Sequence, residues 1–268
     1  MPDQAPGGSA APVDRDRPLL SLRGVVKRFG AVEALSGVDL DVPAGHVTAL
    51  VGDNGAGKST LIKTVSGIYQ PDAGEIRWDG QVVHVRGPRH AASLGIATVY
   101  QDLALCDNLD IVQNMFLGHE ALRHFLLDEP SMELTARKTL TDLSVTTVRS
   151  IRQPVGSLSG GQRQAVAVAR AVMQEARLVI LDEPTAALGV SQTAMVLDLI
   201  GTLRDQGIAV LLISHNLNDV FAVADRIAVM YLGRLAGTGP LSDYDTQRTV
   251  ELITTGAVAS DGASNSKG

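Results

Sequence analysis

Short runs of Val, Leu, Ile and Ala alternate along this chain with segments whose apolar residues recur at helical spacing. Residues 19–26 and 38–42 read as strands of an antiparallel layer joined through residues 27–37. Residues 47–51 form an apolar run ending at a glycine loop, and a helix follows from about 58 to 66. Residues 75–78 and 81–85 flank Asp79-Gly80, a hairpin turn signal. Residues 96–100 are another strand. From about 103 to 155 the pattern turns helical and more polar, which predicts a helical subdomain running to about residue 162. Residues 162–174 form a strong helix with Ala165, Val166, Ala169, Val172 and Met173 on one face. Residues 192–204 place apolar groups at 195, 196, 199, 200 and 203, an amphipathic helix. Strands are expected at 178–181, 209–213, 227–231 and 235–238, with a helix around Leu217–Ala224. Strands alternating with helices predict a mainly parallel, covered sheet, with its ligand site at the strands' carboxyl ends.

Composition supports that picture. The hydrophobic fraction is 45% and the aromatic fraction 3%, so the core is built from aliphatic residues, as in buried parallel sheets. At 268 residues the chain holds one large domain, with room for a subdomain. The net charge of -6 argues against a nucleic-acid surface. Cys106 is the only cysteine, so no internal disulfide forms, in keeping with a reducing compartment. No apolar stretch approaches the ~20 residues of a membrane-spanning helix, and the N-terminus lacks the apolar region of a signal peptide. The mean hydropathy of +0.13 fits a large buried sheet, or a surface resting on a membrane partner. Residues 1–18 and 256–268, rich in Pro, Gly, Ala, Ser and Asp, read as mobile tails.

Three strings carry the candidate chemistry. Gly52-Asp53-Asn54-Gly55-Ala56-Gly57-Lys58-Ser59 is a complete phosphate-binding loop between a strand and a helix. Its glycines let backbone N–H groups converge on a phosphate, and the helix adds its positive end. Lys58 supplies a cation to the β- and γ-phosphates, and Ser59 a hydroxyl to Mg²⁺. Asp182 and Glu183 end an apolar strand; beside a phosphate loop, Asp182 serves Mg²⁺ and Glu183 polarises the attacking water. Between these strings lies Leu158-Ser159-Gly160-Gly161-Gln162, where Ser159 can cap a long helix whose end favours anions.

In this order and spacing the strings resemble the ATP-binding cassette (ABC) ATPases, over roughly residues 19–251. The resemblance implies an α/β P-loop NTPase fold over residues 19–255, with a mainly parallel sheet core, an antiparallel β layer and a helical subdomain at about 103–162. It implies ATP and Mg²⁺ as cofactors, with Gly52, Asn54, Gly55, Ala56, Gly57, Lys58, Ser59 and Thr60 around the nucleotide. Gln101 matches the glutamine that touches Mg²⁺ and the attacking water, His215 the histidine that contacts the γ-phosphate, and Phe29 the aromatic that stacks on adenine. Ser59, Gln101 and Asp182 are the metal set; Glu183, His215, Gln101 and Lys58 are the catalytic set. The resemblance also implies that Ser159, Gly160, Gly161 and Gln162 close the site of a second, head-to-tail copy. Gly189 is a departure: the general pattern has Asp there, linking the two sites across the dimer.

Finer strings are similar to the ribose/xylose/fructose-type sugar importers: residues 49–61, 99–105, 161–167 and 186–190. The last of these suggests that Gly189 is ordinary within that subgroup. The expected protein is therefore the ATPase motor of an importer, peripheral on the cytoplasmic face of the membrane. A homodimer would dock on integral-membrane permease subunits served by an extracytoplasmic sugar-binding protein. The groove behind Gln101, with Leu103, Leu105, Leu109, Val112 and Met115, is a candidate docking surface, although a subdomain core explains those residues equally well. Two alternatives stay open: a soluble ABC ATPase acting on a cytosolic partner, and an importer of another solute such as branched-chain amino acids. Phosphate loops of the latter group usually carry Pro where Asp53 stands.

Overall fold

The computed structural model describes residues 18–257. Strands β1 (Pro18–Phe29) and β2 (Val32–Pro43) form a long antiparallel hairpin, and β4 (Ala73–Trp78) and β5 (Gln81–Val83) extend it into a four-stranded sheet ordered β2-β1-β4-β5. A second sheet is ordered β12-β11-β3-β10-β9-β6, from β3 (Val47–Gly52), β6 (Ile96–Val99), β9 (Leu178–Asp182), β10 (Ala209–Ile213), β11 (Arg226–Tyr231) and β12 (Arg234–Pro240). All its neighbours pair in parallel except β11 with β12.

The central strands are buried on both faces, and side-chain alternation divides them between two cores. Leu178, Ile180, Ala209, Leu211 and Ile213 face the antiparallel layer and α1 (Lys58–Val65). Val179, Leu181, Val210 and Leu212 face α5 (Gly160–Met173) and α6 (Val190–Asp205). A smaller cluster packs α7 (Leu217–Val223) and α8 (Thr246–Thr255) against β11. Among the described residues no helix is long and apolar enough to cross a membrane.

The helical subdomain contains α3 (Ile111–Phe116) and α4 (Glu129–Asp142), packed on α5. Asn114 organises its entry. This fully buried side chain donates to the carbonyls of Cys106, Leu109 and Asp110 and accepts from the Cys106 N–H at 2.7 Å. It thus ties down the loop after Gln101, and Cys106 is a half-buried part of that loop.

Several expectations are corrected. A two-stranded hairpin, β7 (Leu122–Arg123) with β8 (Leu126–Leu127), interrupts the helical subdomain. Its turn residues His124 and Phe125 carry positive φ without being Gly or Asn, so no turn signal is legible there. The short helix α2 (Pro88–Ser93) and α8 were not expected. For Val112 and Met115 the subdomain core, the second of the two explanations offered, is what is found: they are buried at 1% and 0% exposure because α3 turns them inward. The tails expected at 1–18 and 256–268 lie outside the described residues, apart from Pro18 in β1 and Gly256 and Ala257 after α8.

Losing the Asn114 carboxamide leaves the Cys106 N–H without its acceptor, while the carbonyls of Cys106, Leu109 and Asp110 keep backbone donors in Leu109, Val155 and Asn114; an unpaired buried donor costs about 1–3 kcal/mol. Asn114→Ala should lower the unfolding free energy from urea titration by about 1–3 kcal/mol, and hydrogen exchange should show the opening at residues 103–116.

Candidate functional site

Loops leave the carboxyl ends of β3, β6, β9 and β10 and converge on one cleft of about 780 Å³, within the ~300–1,000 Å³ of small-ligand sites. Gly52, Asn54, Gly55, Gly57, Lys58, Ser59, Thr60, Gln101, Asp182, Glu183 and His215 all line it.

The phosphate-type loop is shaped by close backbone approach. Gly52 has φ 154° and Gly57 φ 108°; a Cβ on them would lie 2.5 Å from the Met230 carbonyl oxygen and 2.7 Å from that of Ala34. Neither position admits a side chain. At the start of α1 the N–H groups of Lys58, Ser59 and Thr60 have no partner within the helix and lie at the cleft. The Lys58 ammonium donates to the carbonyls of Gly52 at 2.7 Å and Asp53 at 3.0 Å. Burial pulls its pKa below the usual lysine value, against the opposing charges of Glu183, Asp53 and Asp182.

Asp182 ends β9, and its carboxyl is pushed above the ordinary Asp value by burial and then by the neighbouring Glu183, with Lys58 and Lys63 pulling the other way. Glu183 adopts φ 52°, a left-handed backbone that costs a non-glycine residue on the order of 1–3 kcal/mol. Its N–H donates to Ile213 at 3.0 Å, and one carboxylate oxygen lies 2.7 Å from His215 Nδ1. His215 follows β10, where the buried Ser214 hydroxyl accepts from the Asn216 N–H and bends the chain.

Other expected residues lie elsewhere. Ala56 is buried beneath the loop, packed with Leu35 and Leu61. Phe29 does not line the cleft. It stacks edge-on against Tyr69 with centroids 5.0 Å apart, and the Lys27 ammonium sits 5.6 Å from its ring centre. The apolar rim is instead Val32, Ala34 and Leu232, of which Val32 and Leu232 are 65% and 68% exposed. Nothing local marks them. The turn between β11 and β12 meets β2 through Ser36 N–H donating to Gly233, and meets the phosphate loop through Gly233 N–H donating to Ala56, contacts far apart in sequence.

Ser159–Gln162 is absent from the cleft lining. Ser159 caps α5 by a capping box: its hydroxyl accepts from the Gln162 N–H at 3.3 Å, and the Gln162 side chain accepts from the Ser159 N–H at 2.9 Å. A Cβ on Gly160 would lie 2.6 Å from Leu188, and one on Gly161 2.5 Å from Met195. The two glycines therefore seat the motif against the loop and helix that follow Glu183. Gly189 caps α6 in an ordinary extended conformation and offers no side-chain bond.

Residues 35–186 match the family described as ABC transporter. The chain is 47% identical over 244 residues to the fructose import ATP-binding protein FrcA of Rhizobium meliloti, across 88% of this chain and 94% of that one. The chain belongs to the ABC transporter family. It is likewise 44% identical over 240 residues to the xylose/arabinose import ATP-binding protein XylG of Sulfolobus acidocaldarius, covering 90% of this chain and 95% of that protein. Among solved structures it resembles MJ1267, an ATP-binding cassette of an ABC transporter in its ADP conformation, with a TM-score of 0.76 at 26% identity over 89% of this chain and 96% of that one. The α/β cassette with its antiparallel layer and helical subdomain is thus the fold shared with this ABC family.

Because the Asp182 pKa is raised on folding, its ionised form opposes folding above the unfolded carboxylate pKa, and the penalty vanishes below it. Asp182→Asn should raise the Tm of the nucleotide-free protein at pH 7.5. The gain should shrink as pH falls through the raised value toward the ordinary Asp range. A gain that does not change with pH would assign the effect to something other than this carboxylate.

Proposed function

We propose that this chain is the ATP-hydrolysing subunit of an ABC importer, with a monosaccharide as cargo. The observation that carries the reading is the near full-length match to two sugar-import ATP-binding proteins. The phosphate loop's free N–H groups and Lys58 receive the triphosphate. Lys58 leaves the Gly52 and Asp53 carbonyls for the β- and γ-phosphate oxygens, exchanging neutral acceptors for charged ones.

The donor set fits Mg²⁺. Ser59, Gln101 and Asp182 offer hydroxyl, carboxamide and carboxylate oxygens, hard ligands of the kind Mg²⁺ takes together with substrate phosphates and water. Among the described residues no group of three or more His, Cys, Asp or Glu could hold a metal ion. The ion would supply charge neutralisation at the phosphates. In this reading Glu183 orients and deprotonates the attacking water, and His215, which lines the cleft beside Glu183, contacts the γ-phosphate.

Ser159–Gln162 stands outside its own chain's cleft. The reading gives it to a second copy, docked head-to-tail, whose γ-phosphate it meets with the N-terminus of α5. Docking on a permease is given to a half-open, mainly apolar groove of about 340 Å³ between the main sheet and the helical subdomain. Leu103, Tyr100, Ala104, His119 and Arg170 line it. Of the residues first expected there, Leu103 lines it while Leu105, Leu109, Val112 and Met115 do not. The cytoplasmic face of the membrane is the corresponding location, and an extracytoplasmic sugar-binding protein would deliver the cargo.

Glu183→Gln should bind ATP, form ATP-dependent dimers on size exclusion, and lose about 10²–10⁴-fold in turnover, as for removal of a positioned base. Hydrolysis at the wild-type rate would remove Glu183 from that role. Ser159→Arg and Lys58→Ala should each be inactive alone, and mixing them should restore activity, because the heterodimer has one intact composite site. If both single variants keep full activity, the shared-site arrangement fails. ATP-driven uptake in vesicles carrying the permease, across a panel of pentoses and hexoses, tests the cargo; uptake of branched-chain amino acids alone would overturn it.

A further inference from the structure

Glu183 sits in a left-handed conformation that L-residues hold only when the surroundings over-determine it. Backbone bonds supply part of that constraint. Its N–H donates to Ile213 at 3.0 Å, and its carbonyl accepts from Ala186 at 3.1 Å to close the turn over 183–186. Between them lies Thr185, whose hydroxyl donates to a carboxylate oxygen of Asp219 at 2.6 Å, a bond spanning 34 residues of sequence.

Asp219 has no place in the cleft lining and no role in the reading above. It is 6% exposed and lies in the first turn of α7, the helix that begins two residues after His215. A buried carboxylate is retained where a donor holds it, and here a donor stands on the turn that carries Glu183. The bond therefore fastens the loop bearing Glu183 to the helix that follows His215. A second tie between the same two segments is the 2.7 Å contact of Glu183 with His215 itself. That tie must break if His215 moves to a phosphate. The Thr185–Asp219 bond need not, since neither residue faces the cleft.

We infer that Asp219 is a positioning residue for Glu183: through the Thr185 hydroxyl it clamps the turn that aims the Glu183 carboxylate, and it keeps that aim when His215 lets go. The inference rests on Glu183 being the group that activates water. Misplacing a reacting group by about 1 Å costs on the order of 10²-fold in rate without disturbing ground-state binding.

Thr185→Val removes the hydroxyl at nearly constant shape. It should lower kcat about ten- to a hundredfold. The KM for ATP and nucleotide-driven dimerisation should stay within about twofold of wild type, the signature of an interaction used in the transition state. Thr185→Ser, which restores the donor, should recover most of kcat. Asp219→Asn, which keeps an acceptor, should fall between. Asp219→Ala should match Thr185→Val, and the two combined should be no slower than either alone, because they remove one contact. Wild-type kcat in Thr185→Val, or multiplicative losses in the double variant, would overturn the inference. So would losses that follow the folded fraction by circular dichroism. Should Asp219→Ala fail to fold, Thr185→Val against Thr185→Ser decides alone. Glu183→Gln run in parallel separates the two readings: if it is inactive while Thr185→Val is not, only the clamp fails.

Discussion

Parallel pairing of β6, β9, β10 and β3 sets the ends of neighbouring strands about 4.8 Å apart, all pointing the same way. β3, β9 and β10 are buried on both faces, so they cannot turn polar residues out to solvent along their length, and β6 at the edge is half-buried. The polar and charged groups are left to the strand ends, and parallel geometry gathers those ends on one edge. Gln101, Asp182, Glu183, His215 and the glycine loop meet there because four aliphatic strands have the same direction, not because they are close in sequence. The reverse pairing of any one central strand would move its loop to the opposite edge.

The gathered charges do not satisfy one another by themselves. Asp182 is half-buried beside Glu183, and Lys58 is buried with backbone carbonyls as its nearest acceptors. Glu183 adds a disfavoured backbone angle. This unrelieved strain is of the kind that functional sites trade against stability. In the proposed cycle an anionic phosphate group with its cation would relieve the two electrostatic terms, giving Lys58 a charged acceptor and Asp182 a counter-charge. In the proposed cycle that difference is what makes the cleft bind firmly and lets hydrolysis loosen it.

The seating of Ser159–Gln162 couples two sites within one chain. Gly160 and Gly161 lie so close to Leu188, Gln192 and Met195 that the capped start of α5 cannot shift without moving the loop after Glu183 or the first turns of α6. In a head-to-tail pair, the segment meeting the partner's nucleotide is thereby packed against the loop that carries this chain's own Glu183. Such steric contact offers an alternative to a carboxylate at position 189, where this chain has a glycine with no side-chain bond.

Local pattern in the amino-acid sequence determined the strands, most helices, the phosphate loop and the acids at the end of β9. Period-2 and period-3.6 burial and glycine's backbone freedom act over a few residues, and they leave their mark there. The same local rules could not register Val32 and Leu232 at the rim, the retreat of Phe29 to Tyr69, or the inward turn of Val112 and Met115. Nor could they pair Thr185 with Asp219, 34 residues away. Those features exist only once the two sheets and the subdomain have packed, because which face of an element meets another depends on contacts between distant segments. Tertiary structure alone decided them, just as it alone set the backbone of Glu183 against the hydrogen bonds that hold it.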